Sequence, residues 1–269
     1  SAQAVAIAGA LPPGAEVRWM AAEQTNSSVI VGDTAVIKLI RRIQPGINPE
    51  VEMARHLTEA GYAGVAEFLG ELAWEGQIGE ESDGTASLAV IQRFIRNQGD
   101  GWHWTGDQLA RALDALHHHD RERLEDATGT IRALTRTIGR RLKELHEVLA
   151  RPSEDVNFAP ETADPATISA WNSRIGQALE TAFDILADHA AAGEDTPLAR
   201  AARSVLTRRR GLAAAVAALA EAGTGATLTR IHGDFHLGQL LVSTGDVTLI
   251  DFEGEPTRPL ALRRAKDSP

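Results

Sequence analysis

The order of hydrophobic patterns restricts the fold of this chain more than any other feature of its sequence. Up to residue 95, short apolar runs alternate with turn signals such as Gly32-Asp33, a pattern typical of antiparallel strands and hairpins. From Trp102 to Ala222 the apolar residues recur at helical spacing, and strand character returns between Leu228 and Ile250. The pattern predicts a β-rich front, a helical rear and a late β insertion, with the polar connector Arg96–Gly101 as a lobe boundary.

The front region contains five segments with strand character: Val17–Met20, Val29–Val31, Ala35–Ile40, Phe68–Trp74 and Leu88–Ile95. In the third segment, the alternation of side chains places Lys38 on the same face as Val36 and Ile40. A lysine between two aliphatic neighbours is unusual in a strand. One helix interrupts the strands, and we expect it to begin at Asn48-Pro49 and to end at Gly61.

The rear region has four predicted helices: Gly106–Asp126, Ile131–Ala150, Pro165–Ala192 and Pro197–Ala222. The end of the last helix, from Leu212 onward, is rich in Ala and almost uncharged, so we expect it to be buried. The run His117-His-His-Asp120 has the composition of a metal-binding cluster. Consecutive helical residues do not share a face, however, so we expect a solvated helix end there.

The composition excludes several classes of protein. The chain contains no cysteine, so it has no disulfides, thiol nucleophiles or thiolate metal sites. Its formal net charge of −10 makes it a poor general binder of nucleic acid. No run of about 18 apolar residues occurs, so we expect no membrane span and no membrane partner. These features favour a cytoplasmic protein whose partners are small molecules.

The segments Ile231–Val242 and Leu249–Gly254 carry the most informative polar residues. Asp234 lies on a tight turn, Gln239 lies where the next strand starts, and Asp251 follows the last apolar run. Because a hairpin returns its two ends to the same place, we expect these three side chains to converge. Two carboxylates and an amide oxygen suit Mg²⁺, which prefers oxygen ligands and phosphate oxygens.

Phosphoryl transfer requires residues of these kinds. A carboxylate positions the acceptor hydroxyl, and metal ions bridge the phosphates and neutralise their charge. In kinase-type sites, a strand lysine binds the phosphates and a helix glutamate holds that lysine. Lys38 is the strand lysine of this sequence, and Glu50 and Glu52 both lie in the first turn of the helix that follows. The residues alone leave the choice between the two glutamates open.

Together these motifs resemble those of aminoglycoside-phosphotransferase-like kinases, which belong to the protein-kinase-like superfamily. The run His232-Gly-Asp-Phe-His-Leu-Gly-Gln239 is similar to their catalytic loop, with Gln in place of the usual Asn. A finer resemblance, to maltokinases, includes that Gln and several further segments: Glu23–Ser28, Lys38–Arg42, Pro45–Glu52, Asn97–Trp102 and Asp251–Leu260. The segments follow the order of the family and cover most of the chain.

The resemblance implies a protein-kinase-like, two-lobed α+β fold, with an N-lobe of residues 1–95, a C-lobe of residues 96–269 and the active site between them. It implies an ATP- and Mg²⁺-dependent phosphotransferase that acts on an alcohol group, which in maltokinases converts maltose to maltose 1-phosphate. Glucosamine kinases and aminoglycoside-like kinases share much of the catalytic loop and are the alternative. Trehalose synthase, to which maltokinases are often fused or bound, is the implied partner.

The resemblance also implies roles for individual residues. It implies Asp234 as the catalytic base, Gln239 and Asp251 as Mg²⁺ ligands, and Lys38 with Glu52 as the pair that binds the phosphates. The other implied nucleotide contacts are loop residues over the phosphates and backbone groups beside adenine: Asn26, Ser27, Ser28, Gln92 and Phe94. His236 is a further candidate for contact with the acceptor.

The sequence departs from maltokinases at both ends. Those proteins carry a cap domain before the first strand and further helices beyond the position of Pro269, and these helices complete the acceptor pocket. This chain begins without Met and stops at Pro269. We therefore expect a truncated piece of a longer protein, for which a trehalose synthase–maltokinase fusion is one candidate.

Two other classes of protein remain open. His232 and His236 flank Asp234 and, with Asp251, suit a metal-dependent hydrolase. In the kinase interpretation His232 instead braces the loop through a hydrogen bond to the backbone. The same motifs also fit a module that binds nucleotide without catalysis.

Overall fold

The computed structural model describes residues 14–20, 26–77, 83–191 and 196–269. The strands in these ranges are β1 (Val17–Trp19), β2 (Ser27–Val31), β3 (Ala35–Leu39), β4 (Phe68–Gln77), β5 (Asp83–Arg93), β6 (Glu161–Thr162), β7 (Thr227–Leu228), β8 (Leu240–Ser243) and β9 (Asp246–Leu249). The helices are α1 (Pro49–Glu59), α2 (Gly101–His117), α3 (Arg121–Leu149), α4 (Pro165–Ala191), α5 (Pro197–Leu206), α6 (Arg209–Ala222) and α7 (Leu260–Arg263). A 3₁₀ turn, Leu237–Gln239, precedes β8.

The chain forms two compact units. The first takes in the chain up to Arg151 together with Arg230–Ala265, and the second consists of Pro152–Thr229 and Lys266–Pro269. In the second unit, α5 and α6 pack against α4. Its core cluster consists of Ala163, Ile168, Ala220 and Leu228. Every site residue predicted from the sequence lies in the first unit, and the lobe boundary at residue 95 stays a prediction.

A five-stranded antiparallel sheet forms the front of the first unit, in the order β1-β2-β3-β5-β4. The five strands predicted from the sequence are confirmed, although several end at different residues. Gly32 and Asp33 both have positive φ and turn the chain between β2 and β3, as expected. Lys38 lies opposite Ser28 on β2 and Val90 on β5, so these three side chains share one face of the sheet.

Helix α1 covers that face. The side chain of Asn48 accepts hydrogen bonds from the backbone N–H groups of Glu50 and Val51, at 2.9 and 3.3 Å, and Pro49 occupies the first helical position. Gly61 follows the end of the helix with φ of +72°. Both predicted ends of this helix are confirmed. The buried contact with the sheet consists of Val51, Ala54, Phe68 and Val90.

The predicted boundaries of the next two helices are wrong. The chain breaks between α2 and α3 at residues 118–120, where His119 has φ of +56° and Asp120 caps α3. Helix α3 then continues through residues 127–130, between the two predicted helices, and the hydroxyls of Thr128 and Thr130 donate to carbonyls of the preceding turn instead of breaking the helix. The expected solvated helix end at His117–Asp120 is confirmed.

The prediction of a buried helix at Leu212–Ala222 is also wrong. That segment forms part of α6, in which Ala220 is the buried residue and Leu219 is 74% exposed. Because an alanine methyl group is small, leaving it exposed to water costs little free energy, so an Ala-rich composition does not require burial. The predicted helix Pro197–Ala222 is two helices, α5 and α6. Among the described helices, none combines the length and the apolar character needed to cross a membrane.

Candidate active site

Lys38 is held among three carboxylates. Its side chain projects from β3 and is almost fully buried, and Nζ lies 2.9 Å from Glu50 Oε2, 2.9 Å from Asp251 Oδ1 and 3.1 Å from Glu253 Oε1. A buried ammonium group requires counter-charges, and these carboxylates provide them. Sequence reasoning missed Glu253. The available signal was its spacing in Asp251-Phe-Glu253, which sets two acids close together after an apolar strand.

The glutamate that pairs with Lys38 is Glu50, and the predicted Lys38–Glu52 pair is wrong. Successive helical residues are rotated by about 100°, so residues 50 and 52 point to different sides of α1. Glu50 is 3% exposed and contacts the lysine. Glu52 instead accepts hydrogen bonds from Arg230 and Arg264. Sequence reasoning missed this contact, since neither arginine belongs to a motif it used.

Burial and charge act in opposite directions on this cluster. Burial alone lowers the pKa of Lys38, but the charges of Glu50, Asp251 and Glu253 outweigh it and hold the pKa well above its usual value. Burial raises the pKa of Glu50, and Asp251 and Glu253 raise it further, although Lys38 opposes them. Three carboxyl groups thus surround one ammonium group. The cluster therefore favours a further cation.

The turn that carries Asp234 is braced from two sides. His232 is buried, and its Nε2 lies 2.9 Å from the carbonyl oxygen of Ile250. Because a carbonyl only accepts, Nε2 is the protonated nitrogen. The expected brace is thus confirmed. Gly233 has φ of +82°, and a Cβ there would lie 3.0 Å from Cα of Gly254, so only glycine lets the two backbones approach this closely.

Gln239 and Asp251 lie side by side, which confirms that part of the predicted convergence. Nε2 of Gln239 lies 3.3 Å from Oδ2 of Asp251. The carboxylates of Glu50, Asp251 and Glu253 offer oxygens within 4.8 Å of one another. Rotation of the Gln239 amide would bring its oxygen, in place of Nε2, toward Asp251 and would add a fourth oxygen donor to these carboxylates. Such a set fits Mg²⁺.

His236 caps the 3₁₀ turn. Its Nδ1 accepts a hydrogen bond from the backbone N–H of Gly238 at 3.0 Å, and its Nε2 lies 3.4 Å from Nε2 of Gln239. The cluster of potential metal ligands found in the described residues contains neither His232 nor His236. The two histidine ligands expected for a metal-dependent hydrolase are therefore not part of this cluster. Contact between His236 and an acceptor stays a prediction.

The predicted phosphate loop is described in part, since residues 21–25 lie outside the described ranges. Asn26 is buried, and its amide donates a hydrogen bond to Glu253. Ser27 and Ser28 belong to β2, and Ser28 lies opposite Lys38 in the sheet register. Asn26 and Ser28 are thus near Lys38 and its carboxylates, whereas Ser27 pairs with Leu39 and projects from the other face of the sheet. Contact of these three residues with phosphate stays a prediction.

The predicted adenine contacts lie at the end of β5. Gln92 pairs with Val36 of β3. The backbone N–H of Phe94 donates to the carbonyl of Thr34 at 2.9 Å, so this donor is engaged within the protein. Contact between this segment and adenine stays a prediction, and it would have to involve backbone groups other than the N–H of Phe94.

This chain is similar to known proteins over most of its length. The family model of the phosphotransferase enzyme family (APH) matches residues 16–254. A glucosamine kinase of Mycolicibacterium smegmatis is 29% identical over 250 residues, which are 91% of this chain and 54% of the relative. A glucosamine kinase of Streptacidiphilus jiangxiensis is 30% identical over 266 residues, which are 97% of this chain and 53% of the relative. The chain spans about half the length of the curated relatives it matches.

A solved structure confirms the expected fold. A glucosamine kinase in complex with glucosamine, ADP and inorganic phosphate superimposes with a TM-score of 0.68 at 24% identity, over 99% of this chain and 59% of that chain. The two-lobed, kinase-like α+β fold is therefore confirmed. The two relatives described above are glucosamine kinases, and they do not support the finer expectation of a maltokinase. With the family model matching most of its length, the chain belongs to the phosphotransferase enzyme family.

Proposed function

We propose that this chain transfers the γ-phosphoryl group of Mg·ATP to a hydroxyl group of a small sugar. The observation that carries the proposal is the buried contact of Lys38 with Glu50 and Asp251, each at 2.9 Å. A phosphate-binding lysine in kinase-type sites is held in this way by acidic partners. The family match supports the type of reaction, and the matched relatives support a sugar as the acceptor.

In the proposed reaction, the acceptor oxygen forms a bond to the γ-phosphorus while the bond from that phosphorus to the ADP oxygen breaks. Asp234 accepts the proton of the acceptor hydroxyl. Lys38 binds the phosphates, and Gln239 and Asp251 would hold Mg²⁺, which supplies charge neutralisation when bound. The contribution of the chain is chiefly positioning and electrostatic stabilisation.

Glucosamine is the acceptor that we propose first. The two relatives described above are glucosamine kinases by name, and the superimposed structure contains glucosamine with ADP. Neither the matched relatives nor that structure supports maltose as acceptor or trehalose synthase as partner. Maltose therefore enters the test as the competing acceptor.

Release of ADP from Mg·ATP tests the proposal, with glucosamine, glucose and maltose supplied separately. Asp234→Asn removes the proposed base. Asp120→Asn is the matched control, because it changes a carboxylate that caps α3. We expect ADP release that depends on glucosamine, at about 1–100 s⁻¹, in the wild type and in Asp120→Asn. We expect none in Asp234→Asn.

Other outcomes discriminate among the alternatives. Near-normal turnover in Asp234→Asn would remove Asp234 as the base. ADP release with maltose alone would restore the maltokinase hypothesis. If no sugar supports release while calorimetry shows that Mg·ADP binds, the nucleotide-binding module without catalysis becomes the better interpretation.

A further inference from the structure

Glu52 joins three separate segments of the first unit. Its carboxylate accepts a hydrogen bond from Nη1 of Arg230 at 2.6 Å, and two from Arg264, from Nε at 2.8 Å and from Nη2 at 2.6 Å. These three residues are called the Glu52 triad below. Its members belong to α1, to the segment before the catalytic loop and to the segment directly after α7.

Each member of the triad adjoins a part of the candidate site. Glu52 lies in α1, two residues after Glu50, the partner of Lys38. Arg230 lies two residues ahead of His232, which braces the catalytic loop. Arg264 directly follows Arg263. The side chain of Arg263 packs close to Gly254, since its Cβ lies 3.2 Å from the position that a Cβ on Gly254 would take. The triad therefore connects α1 with the segment before the catalytic loop and with the segment after α7.

The burial of the triad points to a role in geometry. Arg230 is 2% exposed, and the side chain of Glu52 is 11% exposed. Buried ion pairs add little net stability, because the loss of hydration offsets their attraction. An arginine that contacts a carboxylate through two nitrogens does, however, restrict the orientation of both groups. Arg264 contacts Glu52 in this way.

We propose that Glu52 is a positioning residue that holds α1 in the orientation that keeps Glu50 against Lys38. The kinetic part of this inference rests on the phosphotransfer proposed above. Without the triad, α1 loses its hydrogen bonds to the segment before the catalytic loop and to the segment after α7. Glu50 then moves away from Lys38, and the use of Mg·ATP weakens while the binding of sugar does not change.

The test compares Glu52→Gln with Asp246→Asn. Asp246 is a matched control because it also accepts hydrogen bonds from two arginines of the same unit, Arg140 and Arg141. In Glu52→Gln alone we expect faster amide hydrogen exchange over α1 and a kcat/KM for Mg·ATP lower by roughly 10- to 100-fold, with the KM for sugar unchanged. Glu52→Asp, which keeps the charge, should restore part of both losses.

Two results would overturn the inference: unchanged exchange over α1 in a folded Glu52→Gln variant, or the same increase in Asp246→Asn. Exchange requires no turnover, so it decides the positioning role even if the wild type phosphorylates no sugar. An inactive wild type would instead contradict the proposed function. If Glu52→Gln does not fold, Arg264→Gln at the more exposed end of the triad replaces it.

Discussion

The ammonium nitrogen of Lys38 lies 2.9 Å from a carboxylate oxygen of Glu50, and both side chains are buried. Neither group would be stable as a lone buried charge, because burial removes the water that stabilises it. The contact therefore links the stability of the first unit to the proposed binding of nucleotide. The residues proposed to position the phosphates also compensate each other's charge.

Replacement of Lys38 should lower the stability of the first unit. Lys38→Met leaves Glu50 without its counter-charge, and loss of one partner of a buried pair typically costs about 3–5 kcal/mol in the free energy of unfolding. Lys38→Met/Glu50→Gln removes both charges and should recover part of that loss. Denaturant unfolding of the two variants measures the difference. A double variant no more stable than Lys38→Met would contradict the pairing.

Nucleotide binding should depend strongly on divalent cations. Asp251 and Glu253 give the lysine cluster a surplus of negative charge, which repels the phosphates of ATP unless a cation lies between them. We expect calorimetry to show much weaker binding of ATP in EDTA than with Mg²⁺. Glu253→Gln removes one of these charges and should reduce the difference. Equal affinity in both buffers would exclude the proposed metal set.

Gly233→Ala should impair phosphotransfer more than Gly245→Ala. The two glycines have φ of +82° and +77°, so each substitution introduces comparable backbone strain, of order 1–3 kcal/mol. A Cβ at residue 233 would also meet Gly254 at 3.0 Å, whereas one at residue 245 meets nothing within 4 Å. ADP release and unfolding midpoints measure both effects. Equal impairment would show that the close approach to Gly254 does not matter.

Glu52 should make the wild type more sensitive to acid. Burial alone raises its pKa, but hydrogen bonds and charge from Arg264 and Arg230 outweigh burial and lower the pKa below its ordinary value of 4.5. Such a carboxylate stabilises the fold above the unfolded pKa, and this contribution is lost as the pH falls through the folded pKa. Below about pH 4.5, the free energy of unfolding should therefore fall more steeply in the wild type than in Glu52→Gln. Parallel pH profiles in urea unfolding would contradict this.

Local signals predicted the elements that carry the site, because capping and turn formation depend on neighbouring residues. Asn48 caps α1 and Gly32-Asp33 turns between β2 and β3, as the sequence indicates. Local signals do not give the start of α3, because its cap, Asp120, lies inside the predicted helix Gly106–Asp126. They do not give the exposure of α6 either, because an apolar composition does not by itself require burial.

The sequence by itself determined the types of residue available to the site and the order of the elements that present them. A strand lysine, acids that follow apolar strands and a histidine that braces the loop are all visible in local spacing. Only the tertiary structure decided that Glu50 contacts Lys38, that Glu253 joins them, and that Glu52 binds two arginines instead. Lys38 and Asp251 are 213 positions apart. Such contacts depend on how α1 is rotated against the sheet, and local spacing leaves that rotation undetermined.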